Sequence, residues 1–463
     1  MKENNDFYKF PTIAAIATAF GNAGVGIIRI SGDKSFEIIN KIFSKKVEKK
    51  NYIYHGLIKN NDIILDEVIV LPFKSPNSYT GEDVIEIQSH GGLKVLQSIL
   101  DLVLNSGAIL AKRGEFTKRA FLNKKLDLSQ AQSVLDLIEA KTSNFAQKSV
   151  INLKGKLSLE INQIKQILLE VLGRIVAAID FPEDVQEPEY DYIKTQLLTI
   201  INRIDKILKG ANNSNIMRDG LKVALAGRPN VGKSSLFNLL LNNNRAIVTD
   251  IAGTTRDTLQ ESVNINGLYV NLIDTAGIRD EQNLDIVEKI GIGYSKDQIN
   301  DANIILFLFD SSAGLTHDDL KIYDRISDKK HIKIGTKYDL IKNKKSQVNS
   351  MNESKSEGKK DNTLYISVKN NYNIDKLKKE ILDLAIDKGM CDTDFVTNMY
   401  QQERLKAAKG SLELALNAAE NLELQDLISI DIKQAVISLS EITGECITDQ
   451  VLNGIFEKFC IGK

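Results

Sequence analysis

Leu221-Lys-Val-Ala-Leu-Ala-Gly-Arg-Pro-Asn-Val-Gly-Lys-Ser-Ser-Leu236 decides how this chain is read. Its first six residues, Leu221–Ala226, form an apolar run the length of a buried strand. Gly227–Ser234 then fits the spacing G-x-x-x-x-G-K-S, and Ser235–Leu241 suits a helix. Strand, glycine loop and helix in that order form a phosphate cradle. Gly227 and Gly232 let backbone N–H groups converge, with Val231 and Ser235 in the same wrap. The helix N-terminus adds unpaired donors and a favourable dipole. Lys233 is placed to reach the β- and γ-phosphates, and Ser234 to ligate magnesium.

Downstream motifs select the base. Asp274-Thr-Ala-Gly277 follows the apolar run Leu268–Ile273. Asp274 can order magnesium through water, and the Gly277 amide can sense the γ-phosphate. Gly253-Thr-Thr-Arg-Asp257 supplies Thr254 and Thr255 to a loop that closes over the γ-phosphate, with Thr255 the better second magnesium ligand. Thr336-Lys-Tyr-Asp339 follows the run His331–Gly335. The Asp339 carboxylate can accept the N1–H and N2–H donors of guanine, whereas adenine would leave it unpaired. Lys337 lies between the two, and Ser367-Val368-Lys369 can offer backbone amides to the base. Order and spacing together point to GTP. The usual guanine motif starts with asparagine, so Thr336 is a departure: it keeps a hydroxyl and lacks the amide.

The hydrolytic residues are unusual. Ile278 stands where a Ras-like enzyme carries the glutamine that orients water. Charge and a water-holding group must come from elsewhere. Asn230, inside the phosphate loop, could hold a potassium ion beside the β- and γ-oxygens. Backbone carbonyls of the 250–255 loop would complete the shell, with Ile251 and Thr254 in it and Thr249 just before it as candidate metal residues. An asparagine after Pro229 also stabilises a turn. Glu288 is a candidate for positioning water, although a solvated carboxylate is its plainer reading.

The surrounding chain sets the frame. It has 463 residues, 60 basic and 61 acidic, for a formal charge of -1, which argues against a generally basic nucleic-acid coat. No apolar run reaches the ~18 residues a membrane span needs, and Met1–Phe10 lacks the apolar core of a secretory signal. Cys391, Cys446 and Cys460 make neither a disulfide scaffold nor a zinc cluster. The expectation is a soluble, multidomain, cytoplasmic protein. Segments 1–125 and 217–385 alternate strand-length apolar runs with glycine turns, among them Gly26–Ile30, Val68–Leu71 and Val84–Ile87. In 217–385 the runs are spaced by helix-length segments, which predicts a mostly parallel sheet covered by helices.

Leu157, Ile161, Ile164, Leu168, Val171 and Ile175 form a one-sided helical stripe. Leu197, Ile201, Ile204 and Leu208 form another, and Leu405, Ala408, Leu412, Ala415, Ala419 and Leu422 a third. Asp180-Phe-Pro-Glu183 should break one helix from the next. The economical arrangement packs the helices of 126–216 against those of 386–463, with 217–385 inserted between them. Two separate helical domains are the alternative. Residues 411–450 hold eight acidic side chains against Lys433, which reads as a solvated face or a docking surface for a basic partner. Residues 342–362 read as a polar surface insertion.

A wider set of stretches resembles one family. These are Thr12–Thr18, Gly24–Gly32, Ser78–Asp83 continuing to His90-Gly-Gly92, Arg113–Asn123, Ile179–Glu183, Gly227–Ser234, Asp250–Asp257 and Phe459-Cys-Ile-Gly-Lys463. Together they are similar to the MnmE (TrmE) family of tRNA-modification GTPases over nearly the full length. The resemblance implies three parts. An N-terminal α/β domain (1–125) would dimerise and bind a tetrahydrofolate derivative, 5,10-methylene or 5-formyl. A helical bundle would come from 126–216 and 386–463, and a Ras-like P-loop G domain from the inserted 217–385. It implies a homodimer that works with the FAD-dependent protein MnmG (GidA) on tRNA. The product would carry an aminomethyl or carboxymethylaminomethyl group on C5 of the wobble uridine. It carries over Asn230 as potassium ligand, Glu288 as the water-orienting residue, and Ser234 and Thr255 as magnesium ligands. Arg29 and Glu82 become candidate folate contacts, and Cys460 falls at the family's C-terminal cysteine. A GTP-dependent ribosome-assembly switch is the competing function. Its relatives share the G-domain motifs but not the first 125 residues.

Overall fold

The computed structural model describes residues 10–19, 21–48, 52–243, 260–266, 268–274, 301–341, 363–385 and 395–463. It divides into two compact units. One comprises Met1–Ile138, Ser149–Ile204 and Tyr400–Lys463, and the other Glu139–Lys148 and Asp205–Met399.

The first unit holds a six-stranded sheet: β1 (Ile13–Ile16), β2 (Ala23–Ser31), β3 (Tyr54–Asn60), β4 (Ile63–Phe73), β5 (Val84–Gly91) and β6 (Ile109–Leu110), in the order β3-β4-β5-β2-β1-β6. All neighbours are antiparallel except β1 and β6. Short connections explain this, because a parallel pair needs a crossover and β3 turns into β4 within two residues. Helices α1 (Ser35–Ile42) and α2 (Leu93–Asn105) cover one face over Ile28, Ile30, Ile58, Val70, Ile85 and Ile87. Strand alternation sends Arg29 and Glu86 to the other face, directly opposite each other in the register. Near them, Ile13, Ala15, Ala111 and Phe116 form a small second core.

The same unit continues through α3 (Glu115–Leu122), α4 (Leu128–Ile138), α5 (Ser143–Leu153), α6 (Lys156–Asp180) and α7 (Tyr190–Asp219), of which α5 and α7 each extend across a unit boundary. The six predicted stripe residues of α6 are all fully buried. The helix stops at Asp180, before Phe181-Pro182, where a proline cannot continue the hydrogen-bond ladder. After residue 395 come α11 (Met399–Glu420), α12 (Gln425–Thr443) and α13 (Asp449–Phe456), numbered to follow three helices of the second unit. α12 packs along α6 through Ile428, Ile432, Ala435, Leu439 and Ile442. The Gln401 amide donates to Gln132 Oε1 at 2.8 Å, joining the two flanks of the insertion. Leu422 departs from the predicted stripe: α11 ends at Glu420, and Leu422 is exposed with a left-handed φ of 56°. Some acids of 411–450 form ion pairs with neighbouring helices. Glu441 pairs with Arg404 at 2.9 Å and Glu445 with Lys165 at 2.5 Å.

The second unit holds β7 (Leu221–Ala226), β8 (Gln260–Ile265), β9 (Leu268–Asp274), β10 (Ile304–Asp310), β11 (His331–Thr336) and β12 (Leu364–Tyr365), in the order β12-β11-β10-β7-β9-β8. Only β8 runs antiparallel. Its helices include α8 (Lys233–Asn243), α9 (His317–Asp324) and α10 (Ile374–Ala385). The first six residues of β10 are buried without alternation, as expected of a central parallel strand covered on both faces. No helix among the described residues is long and apolar enough to cross a membrane.

Candidate functional site

In a parallel sheet the ligand site forms where strands deliver their C-terminal ends. Here β7, β10, β11 and β12 deliver Gly227, Asp310, Thr336 and Ser367 to one edge. Gly227 has φ +152°, and a Cβ there would strike the Leu308 carbonyl. Asn230 adopts a left-handed φ of 63° and Gly232 a φ of 99°, so the loop curls back before α8 begins at Lys233. The Lys233 ammonium donates to the Gly227 carbonyl at 2.7 Å and to the Arg228 carbonyl at 2.9 Å. It is therefore held across the concavity of the loop, where a polyphosphate needs a cation. Ser234 and Ser235 are exposed on the first turn of α8, and Val231 is buried beneath the loop.

The second group of predicted site residues lies after β11. Thr336 is buried, and its hydroxyl lies 2.6 Å from the Val231 carbonyl and 3.0 Å from the Phe309 carbonyl. Lys337 has a left-handed φ of 55° and bonds Asp310 at 2.7 Å. Burial pushes the Asp310 carboxyl up, but hydrogen bonds from Lys337 and Ser312 outweigh it and hold the group below the usual carboxylate range. Ser367 donates to Asp339 Oδ1 at 2.6 Å, which fixes the plane of the carboxylate. Tyr338 stacks on Tyr372 with centroids 5.4 Å apart. Val368 is half-buried and Lys369 exposed.

The structure thus brings together Gly227, Asn230, Val231, Gly232, Lys233, Ser234 and Ser235 on the phosphate loop. It brings Thr336, Lys337, Asp339, Ser367, Val368 and Lys369 into the second cluster. Thr249, Ile251, Thr254, Thr255, Gly277 and Glu288 lie outside the described residues, as does the side chain of Asp274, the last residue of β9.

Two contributors escaped the sequence reading. Asp310 ends an apolar strand, a position that could have flagged it. Arg228 in the phosphate loop pairs with the fully buried Asp319 at 2.7 Å. Asp319 also forms a capping box with Thr316 at the start of α9. The T-x-x-D spacing of that box was visible, but its link to Arg228, 91 residues away, was not.

The first unit carries a second polar cluster. The Arg29 guanidinium bonds Glu86 at 2.8 Å and the Gly462 carbonyl at 3.3 Å. It lies over the rings of Tyr79 and Phe116, at 5.5 and 5.6 Å from their centroids. Arg29 thus pairs across the sheet with Glu86. Glu82 accepts from Ser31 at 2.6 Å and from Arg119 at 3.1 Å. Arg119 is 1% exposed and also bonds Glu115 and the Pro11 carbonyl. Burial, then the Arg29 charge, pushes the Lys463 ammonium down. Cys460, three residues before it, is an exposed free thiol.

Comparison with known proteins covers both units. A family model for the MnmE helical domain matches residues 128–460, and one for the GTP-binding protein TrmE N-terminus matches 12–125. The tRNA modification GTPase MnmE of Thermoanaerobacter pseudethanolicus is 43% identical over 468 residues, spanning 98% of this chain and 100% of that protein. The one of Acetivibrio thermocellus is 41% identical over 465 residues, spanning 98% and 100%. Sharing two of every five residues from end to end with these proteins, and matching both family models, this chain belongs to the MnmE (TrmE) family of tRNA modification GTPases.

Proposed function

We propose that this chain binds and hydrolyses GTP, and that hydrolysis drives modification of the wobble uridine of certain tRNAs. The observation that carries the GTP reading is the meeting of two clusters. Lys233 is held over the phosphate loop, and Asp339 is oriented by Ser367 beyond β11.

The loop N–H groups and Lys233 bind and orient the β- and γ-phosphates. Asp339 accepts the two guanine donors, and its bond to Ser367 does not exhaust its acceptor capacity. Water attacks the γ-phosphorus, the bond to the β–γ bridging oxygen breaks, and GDP and phosphate leave. The exposed Ser234 hydroxyl suits a magnesium ligand, with Thr255 as its partner and Asp274 ordering the shell. A magnesium ion held there would supply positive charge to offset that of the phosphates. The left-handed turn at Asn230 presents its side chain on the loop, which suits the potassium role. Thr249, Ile251 and Thr254 would complete that shell, with Glu288 orienting water.

In the first unit, Arg29 beside the Tyr79 ring offers donors and a flat face, a fit for a tetrahydrofolate derivative, with Glu82 nearby. Glu82 is held by Ser31 and Arg119, and Arg29 by Glu86 and the Gly462 carbonyl, so the protein orients both groups itself. We place the protein in the cytoplasm as a homodimer. With an FAD-dependent partner of the MnmG type it would install an aminomethyl or carboxymethylaminomethyl group on tRNA.

The test is GTP turnover in potassium against sodium at equal ionic strength, with Asn230→Ala as control. Turnover should be fast in potassium, slow in sodium, and insensitive to the cation in the variant. Equal rates in both salts for the unaltered protein would reject the Asn230 mechanism and favour the assembly-switch reading.

A further inference from the structure

The departure at Thr336 has a geometry that defines what the base pocket can read. Thr336 closes β11 with 2% of its surface exposed. Its Oγ1 faces two carbonyls, Val231 at 2.6 Å on the phosphate loop and Phe309 at 3.0 Å at the end of β10. Both are acceptors, and a hydroxyl has one hydrogen. That hydrogen is spent on protein. The Thr336 carbonyl is engaged as well, accepting the Ser311 N–H at 3.0 Å and the Ser311 hydroxyl at 2.5 Å. Thr336 is a brace that fastens the phosphate loop to the base-reading loop.

Guanine shows acceptors N7 and O6 on one edge and donors N1–H and N2–H on another. Asp339 addresses the donor edge. N7 needs a donor from the protein. An asparagine amide has two hydrogens, one for the brace and one to spare. Threonine has none to spare. A buried donor that recognises N7 would reject a base carrying C–H there, because the donor would be left unpaired. This site holds no such donor at position 336.

We infer that Thr336 sets the base specificity of this enzyme by omission: the phosphate-loop brace is kept, N7 goes unread, and guanine nucleotides altered at position 7 are accepted. The inference rests on the GTP reading above, because it assumes that guanine occupies the pocket beside Asp339.

The test measures affinities of GDP, 7-deaza-GDP and ADP for the full-length protein, Thr336→Asn and Thr336→Val. The unaltered protein should bind GDP and 7-deaza-GDP within about twofold of one another and reject ADP, since a missing hydrogen bond would show as about tenfold. Thr336→Asn should create a preference for GDP over 7-deaza-GDP of about fivefold or more. Thr336→Val should weaken both guanine nucleotides together and leave their ratio near one. About tenfold discrimination against 7-deaza-GDP by the unaltered protein would overturn the inference. So would a Thr336→Asn variant that stays indifferent, since position 336 would then not be responsible. Equal binding of ADP and GDP would instead reject the GTP reading.

Discussion

Each unit is built on a six-stranded sheet, and the two sheets place their polar chemistry differently. The parallel sheet of the second unit gathers its groups on loops after strand ends, each motif directly following the strand that positions it. The antiparallel sheet of the first unit carries Arg29 and Glu86 mid-strand on one face. It completes their surroundings with residues far off in sequence, Phe116 and Gly462. Parallel topology writes its site as short contiguous words. Antiparallel topology spells it one residue per strand, with the other residues of each strand serving the core.

The largest expected effect tests whether the first unit's cluster is structural. Arg119→Ala leaves Glu82 and Glu115 without their buried cation and should cost about 3–5 kcal/mol. Denaturant unfolding should show the loss in a transition of the first unit, while GDP affinity in the second stays unchanged. A parallel fall in GDP affinity would break the separation between the units.

A glycine pair sharpens it further. Gly114 has φ +64°, and a Cβ would sit 2.5 Å from the Phe456 carbonyl, so Gly114→Ala should lose more than about 1 kcal/mol of stability. Gly232 has nothing nearer than 3.9 Å to such a Cβ. Gly232→Ala should carry mainly its φ strain in stability and lose nucleotide affinity, read by melting and GDP titration on the same samples. Equal stability losses would mean that protein contacts, not the nucleotide, demand both glycines.

The smallest effect is a pH dependence. Burial pushes the Asp319 carboxyl up, but hydrogen bonds from Arg228 and Thr316 outweigh it and leave the group below its ordinary value. The unfolded chain then binds the proton more readily, so this contribution is complete above about pH 4 and lost as pH falls through the lowered value. Asp319→Asn should flatten the acid limb of the melting curve relative to the unaltered protein. An unchanged limb would assign acid sensitivity elsewhere.

Legibility in the sequence follows the same contrast. The helical stripes at 157–175 and 405–419 were readable because their periodicity is local, and the loop residues 227–235 and 336–339 stood out because each motif is contiguous. The pairing of α12 with α6 was not legible, because the third stripe read in the sequence lies on α11 and nothing marked 425–443 as a partner. Leu422 was misread because periodicity does not show that a helix has already ended two residues earlier. Arg119 gave no signal, since a buried arginine is recognised only by the carboxylates that surround it. The strand directions of 1–125 were not legible from apolar runs, which look alike in either orientation.

The bond between Arg29 and the Gly462 carbonyl joins residues 433 apart. At ribosomal speeds of about 5–20 residues per second, those two residues emerge roughly 20 to 90 s apart. Throughout that interval the open face of the first sheet stands without the residues that finish it. The second unit, encoded between them, has everything its sheet needs as soon as its own strands are out. The order of maturation is therefore the reverse of the order of synthesis: the sheet whose strands emerge first gains the last contact of its Arg29 cluster only after the strands of the second unit are out.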